Sequence, residues 1–261
     1  MTYKKYSFRD LEEQDAYMWS MTSFESVLET IRNRSIVPVI KKYTEQKGRI
    51  LEAGCGNGAW IHFLNDLGYR AVGLDINAKI LSDGTGRVPM VRNDVLTKCF
   101  ADNSFDACLS LGVVEHFSEG PHAPLAEARR VIKPGGYLFV STPCNNLIRK
   151  LLNHPLRDIV NLFQRFRGKT LHFVEYRFER HELVEHVRQA GFDIVETVPN
   201  DYRLDQNERS IGFYTDWPML RSSGDEKWLL NVPGRLIFKL LKVFSPHWVS
   251  SGILVVARKV E

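Results

Sequence analysis

The stretch that most constrains this chain is Ile50-Leu51-Glu52-Ala53-Gly54-Cys55-Gly56-Asn57-Gly58, an apolar run ending in three glycines at alternate positions. Glycine takes positive φ without a Cβ clash, and a backbone stripped of side chains where it leaves a strand lets a ligand come within contact distance. The helix expected next opens with N–H groups that lack partners inside the helix. Such a turn predicts a ligand site at a strand end.

From residue 49 onward short apolar runs alternate with helical stretches. Strands are predicted at Arg49 to Ala53, Ala71 to Asp75, Pro89 to Arg92, Phe105 to Leu111 and Tyr137 to Thr142. Helical patterns lie near Ala59 to Leu67, Asn77 to Leu81 and Leu125 to Val131. That alternation implies an α/β fold with a parallel sheet and right-handed crossovers, whose ligands bind beyond the carboxyl ends of the strands. Residues 1–48 precede the first of these strands. They open with acids (Asp10, Glu12, Glu13, Asp15) and aromatics, and Val27, Leu28, Ile31, Ile36, Val39 and Ile40 recur at helical spacing with a break near Pro38. A helical cover is predicted there, with Tyr17 or Trp19 as candidates for a lid over the site.

A chain of 261 residues with 44% hydrophobic content can bury one sizeable core, as a single domain with insertions. The formal charge of +4 is too small to argue for nucleic acid by itself. Cys55, Cys99, Cys108 and Cys144 form no C-x-x-C pair, so neither a zinc site nor a disulfide framework is expected. Residues 1–10 lack the apolar core of a signal peptide, and no uncharged run is long enough to span a bilayer. The expectation is a cytoplasmic protein, with peripheral contact at the inner membrane face left open.

Gly54-x-Gly56-x-x-Ala59 followed by Asp75 satisfies a loose dinucleotide fingerprint, which leaves NAD and S-adenosylmethionine undecided. The ordered set is more informative. Glu52-x-Gly54-x-Gly56-x-Gly58, Gly73-Leu74-Asp75-Ile76, Asn93-Asp94-Val95, Phe105-Asp106 leading to Val114-Glu115-His116, and Lys133-Pro134-Gly135-Gly136 together resemble the class I S-adenosylmethionine-dependent methyltransferases, small-molecule type. The resemblance resumes at His181 to Val195 and at Gly252 to Lys259. It implies a doubly wound, mostly parallel seven-stranded sheet with an antiparallel last strand, and S-adenosylmethionine as cofactor.

The same resemblance implies roles for particular residues. Ala53, Gly54, Gly56 and Gly58 would pack on the methionine part of the cofactor, with Glu52 near its ammonium group. Asp75 would accept from both ribose hydroxyls, since a carboxylate offers paired acceptors. Ile76 would cover one adenine face, Asp94 and Val95 would bond its edge, and Leu111 would lie beside the reacting methyl. Aspartate at a strand end is otherwise a cap, and that alternative stands beside the functional one.

A sulfonium methyl is already activated, so the protein must chiefly align the acceptor and exclude water. For a hydroxyl acceptor a base helps, and His116 is the candidate, with helix packing as its alternative role. Related ubiquinone-type and small-RNA enzymes carry Glu-x-x-Glu-His here for a divalent ion. This chain has Gly112-Val113-Val114-Glu115-His116, with His172 or His181 as distant additions, and no metal is expected.

Acceptor choice is assigned to two insertions, 143–178 and 199–249, within a domain spanning 49–261. Between Asn145 and Thr170 six basic residues face one acid, and Leu156, Ile159, Val160, Phe163 and Phe166 recur at helical spacing. Candidate acceptor contacts are His172, Tyr176, Arg177, Tyr202 and Tyr214. Segments 201–203 and 213–218 read as loops, and Arg235 to Phe244 as an apolar helix with one basic stripe, suited to core, dimer or membrane interface. The expected activity is methyl transfer to oxygen of a small or medium anionic acceptor, such as a glycan, nucleotide-sugar or lipid-linked intermediate. An RNA methyltransferase or a non-catalytic cofactor-binding protein are the alternatives, although no RNA-binding module supports the first.

Overall fold

The computed structural model describes residues 2–8, 23–77, 88–203, 205–206, 208–224 and 226–260. The lid candidates Tyr17 and Trp19 and most of the helical stretch predicted at Asn77 to Leu81 lie outside them. In chain order the elements are β1 (Tyr3–Ser7), α1 (Phe24–Arg32), α2 (Val37–Tyr43), β2 (Arg49–Ala53), α3 (Ala59–Asp66), β3 (Arg70–Asp75), β4 (Met90–Arg92) and β5 (Phe105–Leu111). They continue with α4 (His122–Val131), β6 (Ile132–Pro143), α5 (His154–Phe166), β7 (His172–Arg177), α6 (Arg180–Gln189), β8 (Phe192–Asn200), α7 (Ile211–Asp216), α8 (Val232–Phe244), α9 (Pro246–Val249) and β9 (Gly252–Lys259).

Seven strands form one sheet in the order β4-β3-β2-β5-β6-β9-β8. Strands β2 to β6 run parallel, and β9 inserts antiparallel between β6 and β8. This is the expected mostly parallel sheet with an antiparallel last strand. The central strands are buried on both faces, as parallel sheets covered by helices require. Leu51, Leu138, Val140 and Val255 join the core beneath α4 and α6. Their neighbours Ile50, Phe139, Leu254 and Val256 point the other way, to Ile36 and Ile40 around α2 and Ile61 and Leu64 of α3. Phe139 has no exposed surface, and replacing it with alanine would cost about 3–5 kcal/mol.

Helix starts are set locally. Ser23 accepts from Ser26 N–H at 3.1 Å to cap α1, and Pro38 lies in the first turn of α2, where a missing N–H costs nothing. Glu179 and Glu182 form a capping box on α6, and Asn231 caps α8.

Two expectations are corrected. The N-terminal region is not wholly helical: β1 pairs antiparallel with β7 in a separate two-stranded ribbon, with a register shift between Lys5 and Tyr6. Segment 143–178 therefore contributes a strand as well as the amphipathic helix α5. Residues 213–216, read as loop, belong to helix α7, which starts at Ser210, whose hydroxyl accepts from Phe213 N–H at 3.2 Å.

Candidate functional site

Strand β2 lies between two parallel neighbours, β3 and β5, so its carboxyl end opens at the centre of the sheet. There Gly54, Gly56 and Gly58 all take positive φ, +79°, +54° and +78°. The N–H groups of Gly54 and Cys55 both donate to the Leu74 carbonyl, at 2.7 and 3.0 Å, folding the loop across the end of β3. A Cβ on Gly54 would overlap the Val113 side chain, and one on Gly58 would lie 2.7 Å from Met90 Sδ and Val88 Cγ2. Two of the glycines thus make room for neighbouring loops as well as leaving backbone exposed to a ligand.

Asp75 stands beside this loop. Its Oδ2 accepts from Gly56 N–H at 2.8 Å and its Oδ1 from Asn77 N–H at 2.9 Å, which fixes the carboxylate and uses one lone pair on each oxygen. Ile76 follows on the surface, 63% exposed. An apolar cleft lined by Ala53, Leu74, Val95, Phe100 and Val113 lies alongside. Asp94 closes a local turn, its Oδ1 accepting from Leu96 N–H at 2.8 Å. Ala53 and Leu111 pack at the strand ends against the two main cores.

Glu52 is the unusual residue of this half. It is buried, its Oε2 has no hydrogen-bond partner, and burial raises its carboxyl well above the usual range, with Asp75 adding to the effect. Burial also pushes up the thiol of neighbouring Cys55, which makes it a packing residue rather than a nucleophile.

The next strand end carries a second group. After Leu111 the chain turns at Gly112, φ +79°, and Val114 to His116 form one tight turn. His116 Nδ1 lies 2.8 Å from the Val174 carbonyl of β7. Since a carbonyl only accepts, Nδ1 carries the proton and a neutral ring presents its lone pair at Nε2. Glu115 is buried with Oε2 unpartnered; burial raises its carboxyl well above normal, Glu175 adds to this, and Lys5 opposes it.

On the β1–β7 ribbon, Lys5 Nζ and Arg177 Nε both bond Glu175 Oε1 at 3.0 Å. Burial pushes the Glu175 carboxyl up, but the two cations more than offset it and hold it at about 2. Arg177 keeps Nη1 without a partner. Nearby, His154 stacks on Tyr3 at 3.6 Å between ring centres. Burial and then Arg177, Arg157 and Arg149 lower its imidazole to about 3, so it stays neutral.

The predicted acceptor contacts divide. Tyr176 donates to the Ser118 carbonyl at 2.7 Å, just after the His116 turn, and Arg177 belongs to the ribbon. His172 is exposed at the start of β7. Tyr202 is buried with Arg209 over its ring, and Tyr214 packs on Trp228 and Arg221. The last two belong to the internal packing of segment 199–249. Asp201, read as part of a recognition loop, is a buried acceptor for the N–H groups of Tyr202, Ile211, Gly212 and Ser251. Sequence reading missed Lys5 and Glu175, which carry no local signal: Tyr3-Lys4-Lys5-Tyr6 lacks strand alternation, and the pair meets only across the ribbon. Among the described residues no group of three or more His, Cys, Asp or Glu is disposed to hold a metal.

Residues 51–140 match the family described as a methyltransferase domain. A protein of Mycolicibacterium smegmatis described as a probable S-adenosylmethionine-dependent methyltransferase is 30% identical over 152 residues, 57% of this chain and 53% of that one. The ubiquinone biosynthesis O-methyltransferase of Cereibacter sphaeroides is 28% identical over 156 residues, 57% of this chain and 61% of that one. The chain spans about half to three-fifths of the length of these two relatives. The solved structure of a SAM-dependent methyltransferase from Archaeoglobus fulgidus superposes with a TM-score of 0.57 at 16% identity, covering 94% of this chain and 99% of that one, a likeness of fold alone.

Proposed function

We propose that this chain, whose residues 51–140 match a methyltransferase domain family, is a class I S-adenosylmethionine-dependent methyltransferase that transfers a methyl group to an oxygen of a small or medium anionic acceptor. The glycine loop suits the cofactor because buried Glu52 keeps an oxygen that lacks a partner, and an ammonium group would satisfy it. Glu52 would hold that ammonium, Asp75 would accept from the ribose hydroxyls with its remaining lone pairs, and Ile76 and the Val95 cleft would enclose the adenine. When bound, S-adenosylmethionine supplies a methyl group already activated on positive sulfur.

What remains for the chain is to orient the acceptor, exclude water and take a proton. The observation that carries oxygen as the target is the His116–Val174 hydrogen bond. It supports a fixed tautomer whose Nε2 would take the hydroxyl proton while the S–C bond to the donor sulfur breaks and the O–C bond forms. Tyr176, bonded to the Ser118 carbonyl, braces the same turn. The free Nη1 of buried Arg177 favours an acceptor that carries a carboxylate or phosphate. A relative named as an O-methyltransferase agrees with this choice.

The test is release of S-adenosylhomocysteine on incubation with S-adenosylmethionine and matched acceptors: hydroxylated carboxylates and phosphates, their neutral counterparts, and their amine analogues. Turnover is expected with the hydroxylated anions. Preference for the amines would overturn oxygen as the target, and failure of S-adenosylhomocysteine to bind in calorimetry would overturn the cofactor reading.

A further inference from the structure

An amphipathic helix on a water-soluble domain normally turns its apolar stripe inward. Helix α5 does the reverse. Leu156, Ile159, Val160, Phe163 and Phe166 are between 52% and 80% exposed, while the buried and half-buried positions are the polar His154, Arg157, Asn161 and Gln164. Helix α8 is similar. Only Gly234 and Phe238 are buried, and Leu236, Leu240, Val243 and Phe244 are 61–83% exposed.

The two helices belong to one region. Segments 143–178 and 199–249 leave the sheet from the carboxyl ends of β6 and β8, which point the same way because each is antiparallel to β9. Arg149 Nε bonds Asp216 Oδ2 at 2.6 Å, tying the turn before α5 to α7, and Ile148 joins the small core of Phe213 and Phe238 on which α8 rests. Most of the exposed large apolar side chains of the described residues lie on these two segments.

The charges on the two helices are predominantly positive. Helix α8 has no acid, and the single acid of α5, Asp158, accepts from the Tyr3 hydroxyl at 2.7 Å. Arg165, Arg167, Lys169 and Lys239 are exposed beside the apolar stripes. Phe244 stacks on Trp248 at the end of α8, an aromatic pair of the kind that favours the boundary between water and hydrocarbon. Self-association through these faces would bring like charges together, which disfavours a second copy as the occupant.

We infer that α5 and α8 seat the protein on an anionic lipid bilayer, each helix lying in the plane of the interface with its apolar stripe among the acyl chains and its lysines and arginines among the headgroups. No helix of the described residues is long and apolar enough to cross a membrane, so the contact is peripheral.

Sedimentation of the full chain with vesicles made of equal parts phosphatidylcholine and phosphatidylglycerol tests this. Binding is expected, and it should fall by about tenfold on pure phosphatidylcholine or in high salt, where screening weakens the headgroup attraction. The pairs Phe163→Asp with Phe166→Asp and Val243→Asp with Phe244→Asp should each lower the bound fraction by about tenfold or more. Because these side chains are exposed, thermal melts should match the parent and show that loss of binding is not loss of folding. Absence of binding to the anionic vesicles overturns the inference, as do variants that bind like the parent. A dimer by light scattering that the same variants dissolve would make a second copy the occupant and overturn it equally.

Discussion

The glycine loop at the end of β2 and the charged group around His116 are neighbouring strand ends built in opposite ways. The loop is local: Glu52 to Gly58 and Asp75 come from two adjacent parallel strands and the turns after them, fixed by loop N–H groups donating to the Leu74 carbonyl and by the Asp75 carboxylate accepting from the Gly56 and Asn77 N–H groups. The His116 group is assembled from afar, with Lys5 and Glu175 separated by 170 positions and His116 held by Val174. Glu115 beside His116 is, like Glu52, buried with one oxygen unpartnered; the acid of the ribbon differs. Glu52 is buried with nothing nearby to support its charge, whereas Glu175 is buried between two cations. A site that awaits a cationic ligand can leave a carboxyl unpartnered; a structural ribbon has to balance its own charge.

If the halves are separable in this way, His116→Ala should lower kcat by about 10²–10⁴-fold and leave S-adenosylhomocysteine affinity in calorimetry unchanged. An unchanged rate would leave the histidine a packing role only. Gly54→Ala should strike the other half. A side chain at φ +79° that also overlaps Val113 should cost about 1–3 kcal/mol in urea unfolding and weaken cofactor binding with it. Asp75→Ala should raise the dissociation constant for S-adenosylmethionine by about 10–100-fold through lost charge-assisted hydrogen bonds, with little change in kcat at saturation.

The smallest effect is one of pH. Glu175 titrates lower in the folded protein than in the unfolded chain, so its contribution is present above its ordinary value of 4.5 and is lost as pH falls toward 2. Lys5→Met should therefore lower stability at pH 7 by about 1–2 kcal/mol, less than for a wholly uncompensated buried charge because Arg177 remains. It should also flatten the acid-side loss of melting temperature between those two pH values. Glu52 and Glu115 have raised carboxyls and act in the other sense: their burial costs stability at neutral pH, and that cost is recovered as pH falls through their folded values toward the ordinary one. A parent melting curve with no acid-side loss near the Glu175 window would break the contrast.

Legibility followed sequence distance. Strands β2 and β5 have the predicted bounds because an apolar run between turn residues is a local signal. The glycine loop was readable for the same reason. Strand β1 was missed because Tyr3-Lys4-Lys5-Tyr6-Ser7 has no period-two pattern and its partner arrives only with β7. Asp201 was misread because a polar residue after a strand looks alike whether it meets solvent or four backbone N–H groups. The apolar spacing of α5 was plain in the sequence, but spacing gives the width of a stripe and not the direction in which it faces.

The amino-acid sequence by itself determined the parallel sheet, the glycine turn at its centre and the acids that follow the next strands, since each depends on residues within one or two elements of each other. Only the tertiary structure decided that Glu52 is buried without a partner, that His116 is fixed by a carbonyl of β7, and that two helices turn their apolar faces outward. Burial and the electrostatics that follow from it are properties of which distant segments pack together, and no local pattern of side chains specifies that packing.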